Sequence, residues 1–253
     1  HKLTRLTEKV LKAYETFEFN TIYHSIHNFC NTDLSAFYLD ILKDRLYTSS
    51  PTSKARRAGQ TTIYYILDYL IRLTAPILVF TADEAWQFIP KEQGANDKPA
   101  PAGSKQGGQG AETSVHLASF PKVNNEWMND ELGEKWNKLI AIKTEISKAM
   151  EIARKDKVIG HPLDARVGII PSMELEMIIK ENLLNLKEIT IVSQLVIDVE
   201  ENGMLFESQE LPGLKIYVTP AKGKKCERCW NYSEQVGENE KHPTICERCW
   251  EVL

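Results

Sequence analysis

Four of the five cysteines of this 253-residue chain lie near its end, in two copies of the pentapeptide Cys-Glu-Arg-Cys-Trp at 226–230 and 246–250. The cysteine spacing is C-x2-C-x16-C-x2-C, which falls in the range typical of four-thiolate zinc sites. Two residues between cysteines let one tight turn aim both sulfurs at one ion, and the longer loop returns a second turn to complete a tetrahedron. The pattern therefore predicts one zinc ion held by Cys226, Cys229, Cys246 and Cys249.

The predicted zinc ion is structural, because four thiolates fill its coordination shell and leave no position for a substrate or an activated water. Such a site carries about two net negative charges. Basic side chains close in sequence are expected to offset this charge: Lys224, Lys225, Arg228 and Arg248.

Two other uses of the cysteines are weaker. A redox pair would need only one CxxC, and thioredoxin-type motifs stand beside a βαβ pattern that this sequence lacks. Two disulfides would suit an oxidising compartment, whereas Cys30 is left unpaired in a helical stretch and a cytoplasmic protein is expected, as argued below. His242 is within reach of the site by sequence, but with four cysteines present we expect it to be a solvated loop residue.

The residues around the first cysteine pair could bind RNA. They are basic or aromatic: Lys224, Lys225, Arg228, Trp230 and Tyr232. A guanidinium and an indole on a rigid zinc turn can grip phosphate and stack on unpaired bases. The alternative is that Trp230 and Trp250 pack over the metal as a small core. This alternative is favoured for Trp250 and stays open for Trp230.

Apolar residues at helical spacing predict that residues 1–90 form a helical bundle. Helices are expected at 3–17, at 21–46 with a break near 31–33 left open, at about 63–71, and at 76–89. Pro76 separates the last two, because a proline is disfavoured inside a helix and suits a first turn.

The remaining sequence predicts a linker and a small α+β unit. Residues 91–114 contain five of the thirteen glycines and no aromatic residue, so they favour a flexible insertion. A helix is predicted at 130–157, with Leu132 and Trp136 on its apolar stripe. Strands are predicted at 165–169, 195–199, 204–207 and 214–219, and a helix capped by Ser172 is predicted to run to about residue 186. The predicted domains are 1–90, 91–114, 115–220 and 221–253.

Composition places few limits on function. A hydrophobic content of 42% and a net charge of −4 are ordinary for a soluble globular protein, and they argue against a general nucleic-acid coat but not against a focused basic contact. No stretch is long and apolar enough for a membrane span, so we expect a cytoplasmic protein with no membrane partner. The first residue is His1 and already lies in a helical pattern, so we expect a fragment of a longer chain.

Six stretches resemble one known family in the same order. They are TDLSAFYLDILKDRLY at 32–47, ARRA at 55–58, LTAPILVFTADEAWQFIP at 73–90, SVHLASFP at 114–121, AMEIARKDKVIGHPLDARV at 149–167 and AKGKKCERCW at 221–230. Together with the cysteine tail, they are similar to the anticodon-binding region of class I aminoacyl-tRNA synthetases of the bacterial isoleucyl type. The resemblance covers nearly the whole chain apart from 91–113.

The resemblance implies a mainly α fold in which a helical-bundle anticodon-binding domain precedes a small α+β unit and a C-terminal four-cysteine zinc ribbon. It implies that the parent enzyme activates isoleucine with ATP and esterifies it to isoleucine tRNA. The family's His-x-Gly-His and Lys-Met-Ser-Lys-Ser signatures belong to a catalytic domain that this sequence lacks, as it lacks the editing domain. The chain alone is therefore expected to be inactive, to bind tRNA(Ile), to dock on those domains of its parent, and to be monomeric.

The resemblance also transfers individual residues. The four cysteines match the family's zinc ligands, and Arg228 and Trp230 match positions inside and just after its first CxxC. Arg56 and Arg57 lie where the family also has basic residues. Lys224 and Lys225 are candidate phosphate contacts on charge alone. For each arginine, the alternative is a solvated or ion-paired surface residue.

Two other functions remain open at this point. DNA glycosylases of the formamidopyrimidine type end in a similar zinc ribbon, but they call for an N-terminal proline nucleophile and a helix-two-turn-helix before the ribbon, neither of which is apparent. A non-catalytic zinc-ribbon interaction module without an RNA role would bind zinc equally well.

Overall fold

The computed structural model describes residues 1–90, 113–198 and 203–253. The fold is mainly α, with a small sheet and a C-terminal cysteine cluster, as the sequence predicts. The predicted insertion at 91–114 lies outside the described residues except for its last two positions, as does residue 199 of one predicted strand. Within the described ranges, no helix combines the length and apolarity that crossing a bilayer requires.

The chain divides into two compact units. The first comprises His1–Leu34 and Ala58–Asn129, and the second comprises Ser35–Arg57 and Asp130–Leu253. The domain borders drawn from the sequence stay a prediction.

The first unit is built from helices. They are α1 (Lys2–Glu15), α2 (Phe19–Asn28), most of α4 (Lys54–Thr74) and α5 (Val79–Gln87). Val10, Ile22 and Leu73 are fully buried, as the periodicity of α1 and α2 predicts for the first two. The Tyr14 hydroxyl donates a hydrogen bond to the Leu73 carbonyl (2.8 Å), which ties α1 to the end of α4.

Three details of the helical prediction are wrong in this unit. Helix α1 ends at Glu15, and Phe17 adopts a left-handed φ of +59° with its ring 77% exposed, so it does not extend the buried face. Leu67 is also exposed. Helix α5 begins at Val79 rather than Pro76, because the N–H groups of residues 77 and 78 still bond to the Thr74 carbonyl and Pro76 lies in that turn.

Phe29–Tyr38 forms a ten-residue π-helix at the position where the sequence leaves a break open. It continues directly from α2 into α3 (Leu39–Thr48). The chain thus stays helical by widening its turns, although π-helices usually occupy only a single turn.

The second unit packs helix α6 (Asp130–Lys155) and two short helices on a four-stranded sheet. The strands are β1 (Ala165–Ile170), β2 (Gln194–Ile197), β3 (Met204–Glu207) and β4 (Lys215–Pro220), in the order β2-β1-β4-β3. β1 pairs in parallel with β2 and antiparallel with β4, with Val167 opposite both Leu195 and Val218. Alternating buried residues of β4 face α6, as period-two patterning requires.

Two expectations fail in this unit. Leu132 is 45% exposed, so the buried stripe of α6 starts further along, at Leu139. The single helix predicted after Ser172 is two helices, α7 (Met173–Glu181) and α8 (Leu183–Thr190). Asn182 separates them, because its buried side-chain amide bonds to the Ile178 carbonyl (2.8 Å) and competes with the backbone ladder.

The cysteine-rich tail contains the hairpin β5 (Lys224–Lys225) and β6 (Tyr232–Ser233), followed by the short helix α9 (Glu247–Trp250). Gln194 at the start of β2 binds the tail through both ends of its amide, since its Nε2 donates to the Lys222 carbonyl and its Oε1 accepts from the Lys222 N–H, each at 3.0 Å. The Tyr232 N–H donates to the Ser193 hydroxyl (2.7 Å). These bonds hold the tail on the edge of the sheet.

Candidate metal centre and nucleic-acid interface

The four predicted cysteine ligands come together in one cluster. The sulfur atoms of Cys226, Cys229, Cys246 and Cys249 all lie within 4.8 Å of one another, and those of Cys229 and Cys246 are 3.6 Å apart. A tetrahedral ion with Zn–S bonds of about 2.3 Å needs sulfur atoms about 3.8 Å apart. Three of the cysteines are buried and Cys229 is partly buried. The donor set therefore fits one closed zinc site.

Backbone turns aim the sulfurs at the common centre. The Trp230 N–H bonds to the Cys226 carbonyl (2.9 Å), and the Trp250 N–H bonds to the Cys246 carbonyl (3.1 Å), so each CxxC wraps into a turn of the same size. The Cys246 N–H also donates to the Cys226 sulfur (3.3 Å). Such N–H groups partly neutralise a thiolate, which favours its charged form.

The electrostatics of the cluster call for a cation. Burial opposes ionisation of Cys226, but N–H groups from Cys229, Cys246 and Arg228 outweigh it and lower the pKa of Cys226 to about 6. Burial and the neighbouring Cys229 sulfur raise the pKa of Cys246 to about 11, and they also raise that of Cys249. Thiolates this close repel one another, so four of them cannot all be charged without a cation between them. A bound Zn²⁺ supplies that charge and keeps its thiol ligands deprotonated.

The small core beside the cluster is aliphatic. Val236 and Ile245 are buried and pack against the cysteines. Trp250 was expected to fill this role, but it is still 37% exposed and is not among the residues of this buried core. His242 lies outside the cysteine cluster, and its backbone N–H donates to the Asn239 side-chain oxygen.

Residues 226–230 form the first metal turn, and the ring of Trp230 is exposed on it. It is 61% exposed, and Trp230 has a left-handed φ of +64°. A left-handed conformation costs a non-glycine residue about 1–2 kcal/mol. The Lys225 ammonium lies 5.9 Å from the centroid of the indole ring. The arrangement offers a flat aromatic face beside a positive charge.

The two arginines of the repeats are both engaged within the protein. The Arg228 guanidinium donates to the Cys249 carbonyl (2.9 Å), so it joins the first CxxC to the second. The Arg248 guanidinium reaches Asp44 on α3 with two bonds, Nη1 to Oδ2 at 2.6 Å and Nη2 to Oδ1 at 2.9 Å. Burial alone would lower the pKa of Arg248, but Asp44 and the Cys229 sulfur raise it.

The remaining candidate RNA contacts are Lys224, Arg56 and Arg57. Lys224 is exposed and its ammonium faces the turn at Gly237 rather than Trp230. Arg56 and Arg57 lie in the first turn of α4, where the guanidinium of Arg56 bonds to the Ser49 carbonyl (3.0 Å) at the end of α3. Across the described ranges, no hydrogen bond or ion pair joins either arginine to the cysteine tail. The role of each of these residues in RNA binding stays a prediction.

Sequence reasoning missed the residues that fix the tail in place. Asp44 is 204 positions from Arg248, and Ser193 is 39 positions from Tyr232. The sequence singles out Arg248 only as a residue that offsets the charge of the metal site. Its acidic partner could not be chosen from the sequence.

Comparison with known families agrees with this geometry. A family described as "Anticodon-binding domain of tRNA ligase" matches residues 1–169. A second family, described as "Zinc finger found in FPG and IleRS", matches residues 223–252, which include all four clustered cysteines. The zinc-finger match and the cysteine cluster together support a single structural Zn²⁺.

Curated relatives cover this chain almost completely. An isoleucine–tRNA ligase of Desulfitobacterium hafniense is 43% identical over 255 aligned residues, which is 100% of this chain and 26% of the relative. The enzymes named isoleucine–tRNA ligase from Moorella thermoacetica and a Thermoanaerobacter species are 42% and 46% identical over 100% and 98% of the chain. The chain thus spans about a quarter of the length of the curated relatives it matches.

Proposed function

Since this chain belongs to the anticodon-binding domain family of tRNA ligases, we propose that it recognises the anticodon stem-loop of isoleucine tRNA. The observation that carries the proposal is the exposed Trp230 ring beside the Lys225 ammonium on the first metal turn. Single-stranded loops present unstacked bases, which bind to aromatic faces and to nearby positive charge. The zinc ion would hold this surface rigid and take no part in chemistry.

A second basic surface supports phosphate contact. Helix α4 starts with Lys54, Arg56 and Arg57 and has no acidic residue in its first turn. Positive side chains at a helix N-terminus add to the positive end of the helix dipole, which does not favour helix stability. An RNA phosphate bound at this end would offset both the charge of the basic side chains and the positive end of the helix dipole. Arg57 is the stronger candidate, because Arg56 already bonds to the Ser49 carbonyl.

The activity of the whole enzyme belongs to the same proposal. The relatives named isoleucine–tRNA ligase are about four times as long as this chain. We infer a parent protein that activates isoleucine with ATP and transfers it to tRNA(Ile), in which this part binds tRNA and docks on catalytic and editing domains. A monomeric, cytoplasmic parent and domain borders at residues 90, 114 and 220 are parts of this proposal.

Two alternatives lose support. The tail cannot separate a ligase from a glycosylase, because the description of its family names both proteins. The match over residues 1–169 does separate them, since it is to tRNA ligases. A zinc ribbon without an RNA role also does not explain why the anticodon-binding family matches two thirds of the chain.

The decisive experiment is a binding titration of this chain with isoleucine tRNA and with the same tRNA carrying a substituted anticodon, at stated ionic strength because phosphate contacts depend on salt. We expect the substituted tRNA to bind at least about fivefold more weakly, because loss of one base contact costs about 1–3 kcal/mol. Equal binding of the two tRNAs, or no binding of either, would contradict the proposal.

A further inference from the structure

The second unit contains a cavity of about 470 Å³ beside the first metal turn. Its walls come from the end of α6, the loop before β1, the end of β4 and strand β6. The lining residues that matter here are Arg154, Lys157, Ile159, Asp164, Pro220 and Tyr232. We propose that this cavity binds one unstacked nucleotide of a single-stranded RNA loop, next to the base that stacks on Trp230. The inference rests on the proposed function and names a second contact for the same RNA.

The lining has the chemistry of a nucleotide site. Ile159 and Pro220 supply an apolar floor, and the half-buried Tyr232 supplies an aromatic wall. The cavity volume lies within the range of about 300–1,000 Å³ that is usual for small-molecule sites. A planar base fits between such surfaces, because every base has a π face that stacks without regard to sequence.

The charged residues that line the cavity suit a ligand with one phosphate better than a polyphosphate. Arg154 and Lys157 are exposed at the end of α6, and Arg154 shares its charge with Glu151 at 2.7 Å. In the described ranges, Lys157 forms no salt bridge. The Asp164 carboxylate also lines the cavity, and it accepts the backbone His161 N–H (2.8 Å), which holds it in place. It can accept a base amino group, and it would repel a polyphosphate.

Tyr232 is held in position by its backbone. Its N–H donates to the Ser193 hydroxyl, which in turn donates to the Leu163 carbonyl (2.5 Å). These bonds fix β6 on the loop that closes the cavity. A change in the Tyr232 ring leaves them in place, so the ring can be tested without loss of the anchor.

The cavity and the Trp230 face are neighbours on one surface. Tyr232 pairs directly with Lys225 across the β5–β6 hairpin, so the two side chains leave the same face of the hairpin. The ammonium of Lys225 also lies 5.9 Å from the Trp230 ring. Lys225 thus stands between two aromatic groups, where it can hold the phosphate that joins two consecutive splayed nucleotides.

The test combines Tyr232→Leu with abasic substitutions in the anticodon loop. The probe is an anticodon stem-loop RNA of isoleucine tRNA, intact or with one loop base removed at a time, titrated against the 253-residue chain. We expect Tyr232→Leu to weaken binding of the intact RNA by about fivefold or more. We expect no further loss with the one abasic RNA that lacks the base in the cavity, since that interaction is already absent.

Matched variants separate the cavity from general damage. Tyr217→Leu changes a half-buried tyrosine of β4 that does not line the cavity, and it should bind RNA as the unchanged chain does. Lys157→Asn keeps a residue type that tolerates the observed φ of +59°, and it should weaken binding severalfold and reduce the salt dependence. Lys155→Asn is its control, because Lys155 is the last residue of α6 and does not line the cavity.

Each outcome decides the matter. The cavity proposal is overturned if Tyr232→Leu and Lys157→Asn bind the RNA as tightly as the unchanged chain does. It is also overturned if the loss of affinity from Tyr232→Leu adds to the loss from removing a base at every loop position. In both cases the unchanged chain still binds the stem-loop, so the proposed function stands. If the unchanged chain binds no stem-loop, or binds it no better than a plain duplex, both proposals fail. Bound zinc at one per chain shows that a variant is folded.

Discussion

The two Cys-Glu-Arg-Cys-Trp copies have the same side chains and different surroundings. In the first copy, Trp230 turns into a left-handed conformation and exposes 61% of its surface. In the second copy, Trp250 ends helix α9 in a right-handed turn and is 37% exposed. Arg228 binds the other copy, at the Cys249 carbonyl, while Arg248 binds α3 at Asp44.

The difference arises from the path of the chain beyond each copy. After the first copy, the chain must reverse into β6 to pair with β5, and the Cys226 N–H bonds to the Asn231 carbonyl (2.9 Å) across that reversal. After the second copy, residues 251–253 need no reversal and the turn stays helical. Sequence identity over five residues therefore fixes the metal turn but not the direction of the chain beyond it. Both copies therefore supply two cysteines to the same cluster. Their other residues differ, because the first copy exposes Trp230 and the second anchors the tail through Arg248.

The largest expected effect tests the feature that the two copies have in common, their cysteine ligands. Cys226→Ser and Cys246→Ser should each release the zinc and unfold residues 222–253, because the apparent free energy of zinc binding, on the order of 10 kcal/mol in small zinc domains, is also folding free energy. Zinc content measured after gel filtration should fall from one per chain to near zero in both variants. The far-ultraviolet helical signal of α6 should remain.

Cys30→Ser is the matched control, since Cys30 lies in the π-helical segment and is not one of the four clustered cysteines, so it should leave one zinc per chain. Release of zinc by Cys226→Ser alone would show that the second pair is not a ligand pair. Zinc loss in Cys30→Ser would contradict the assignment of ligands.

The next effect tests a feature in which the two copies differ, their tryptophans. Trp230→Ala should weaken binding of the anticodon stem-loop by about 1–3 kcal/mol, which is roughly 5-fold to 150-fold, because an exposed stacking surface is removed. Trp250→Ala should change RNA affinity by less than about twofold. Zinc should stay at one per chain in both. Affinities measured side by side at one salt concentration make the comparison.

Trp230→Gly distinguishes stacking from backbone strain. Glycine adopts the observed φ of +64° without steric cost, so it removes the ring and relieves the turn. We expect Trp230→Gly to bind RNA as weakly as Trp230→Ala. Recovery of affinity in the glycine variant would mean that the alanine variant had failed through its turn and that the ring is not a contact.

The helices were predictable because their cores repeat at helical spacing. Val10 and Ile22 are fully buried where the pattern put them, and Leu139 and Ile146 on α6 are as well. Boundaries were less predictable, because they depend on single polar contacts. Asn182 divides one predicted helix in two through a bond to a carbonyl of the preceding turn, and a sequence cannot show whether an asparagine side chain will take that bond or face water.

The metal site was predictable from spacing alone, because ligand geometry constrains a short stretch of chain. Its supports were not. The bond between Asp44 and Arg248 joins residues 204 positions apart, and the cavity beside Tyr232 is assembled from four separate segments. The small core of Val236 and Ile245 was missed because the tryptophans are the larger apolar residues, and neither of them belongs to the buried cluster.

The smallest effect concerns the arginines. Asp44 and Arg248 form a two-bonded pair, but their side chains are 40% and 48% exposed, so solvent screens the interaction and the coupling should be only about 0.5–1 kcal/mol. A double-mutant cycle with Asp44→Ala and Arg248→Ala, measured by urea unfolding, should show this coupling, and it should shrink at high salt. The same cycle with Arg228→Ala should show none, because Arg228 bonds to Cys249 instead. Equal coupling energies in both cycles would mean that Arg228 and Arg248 interact with Asp44 to the same extent. The two copies would then differ only in their tryptophans.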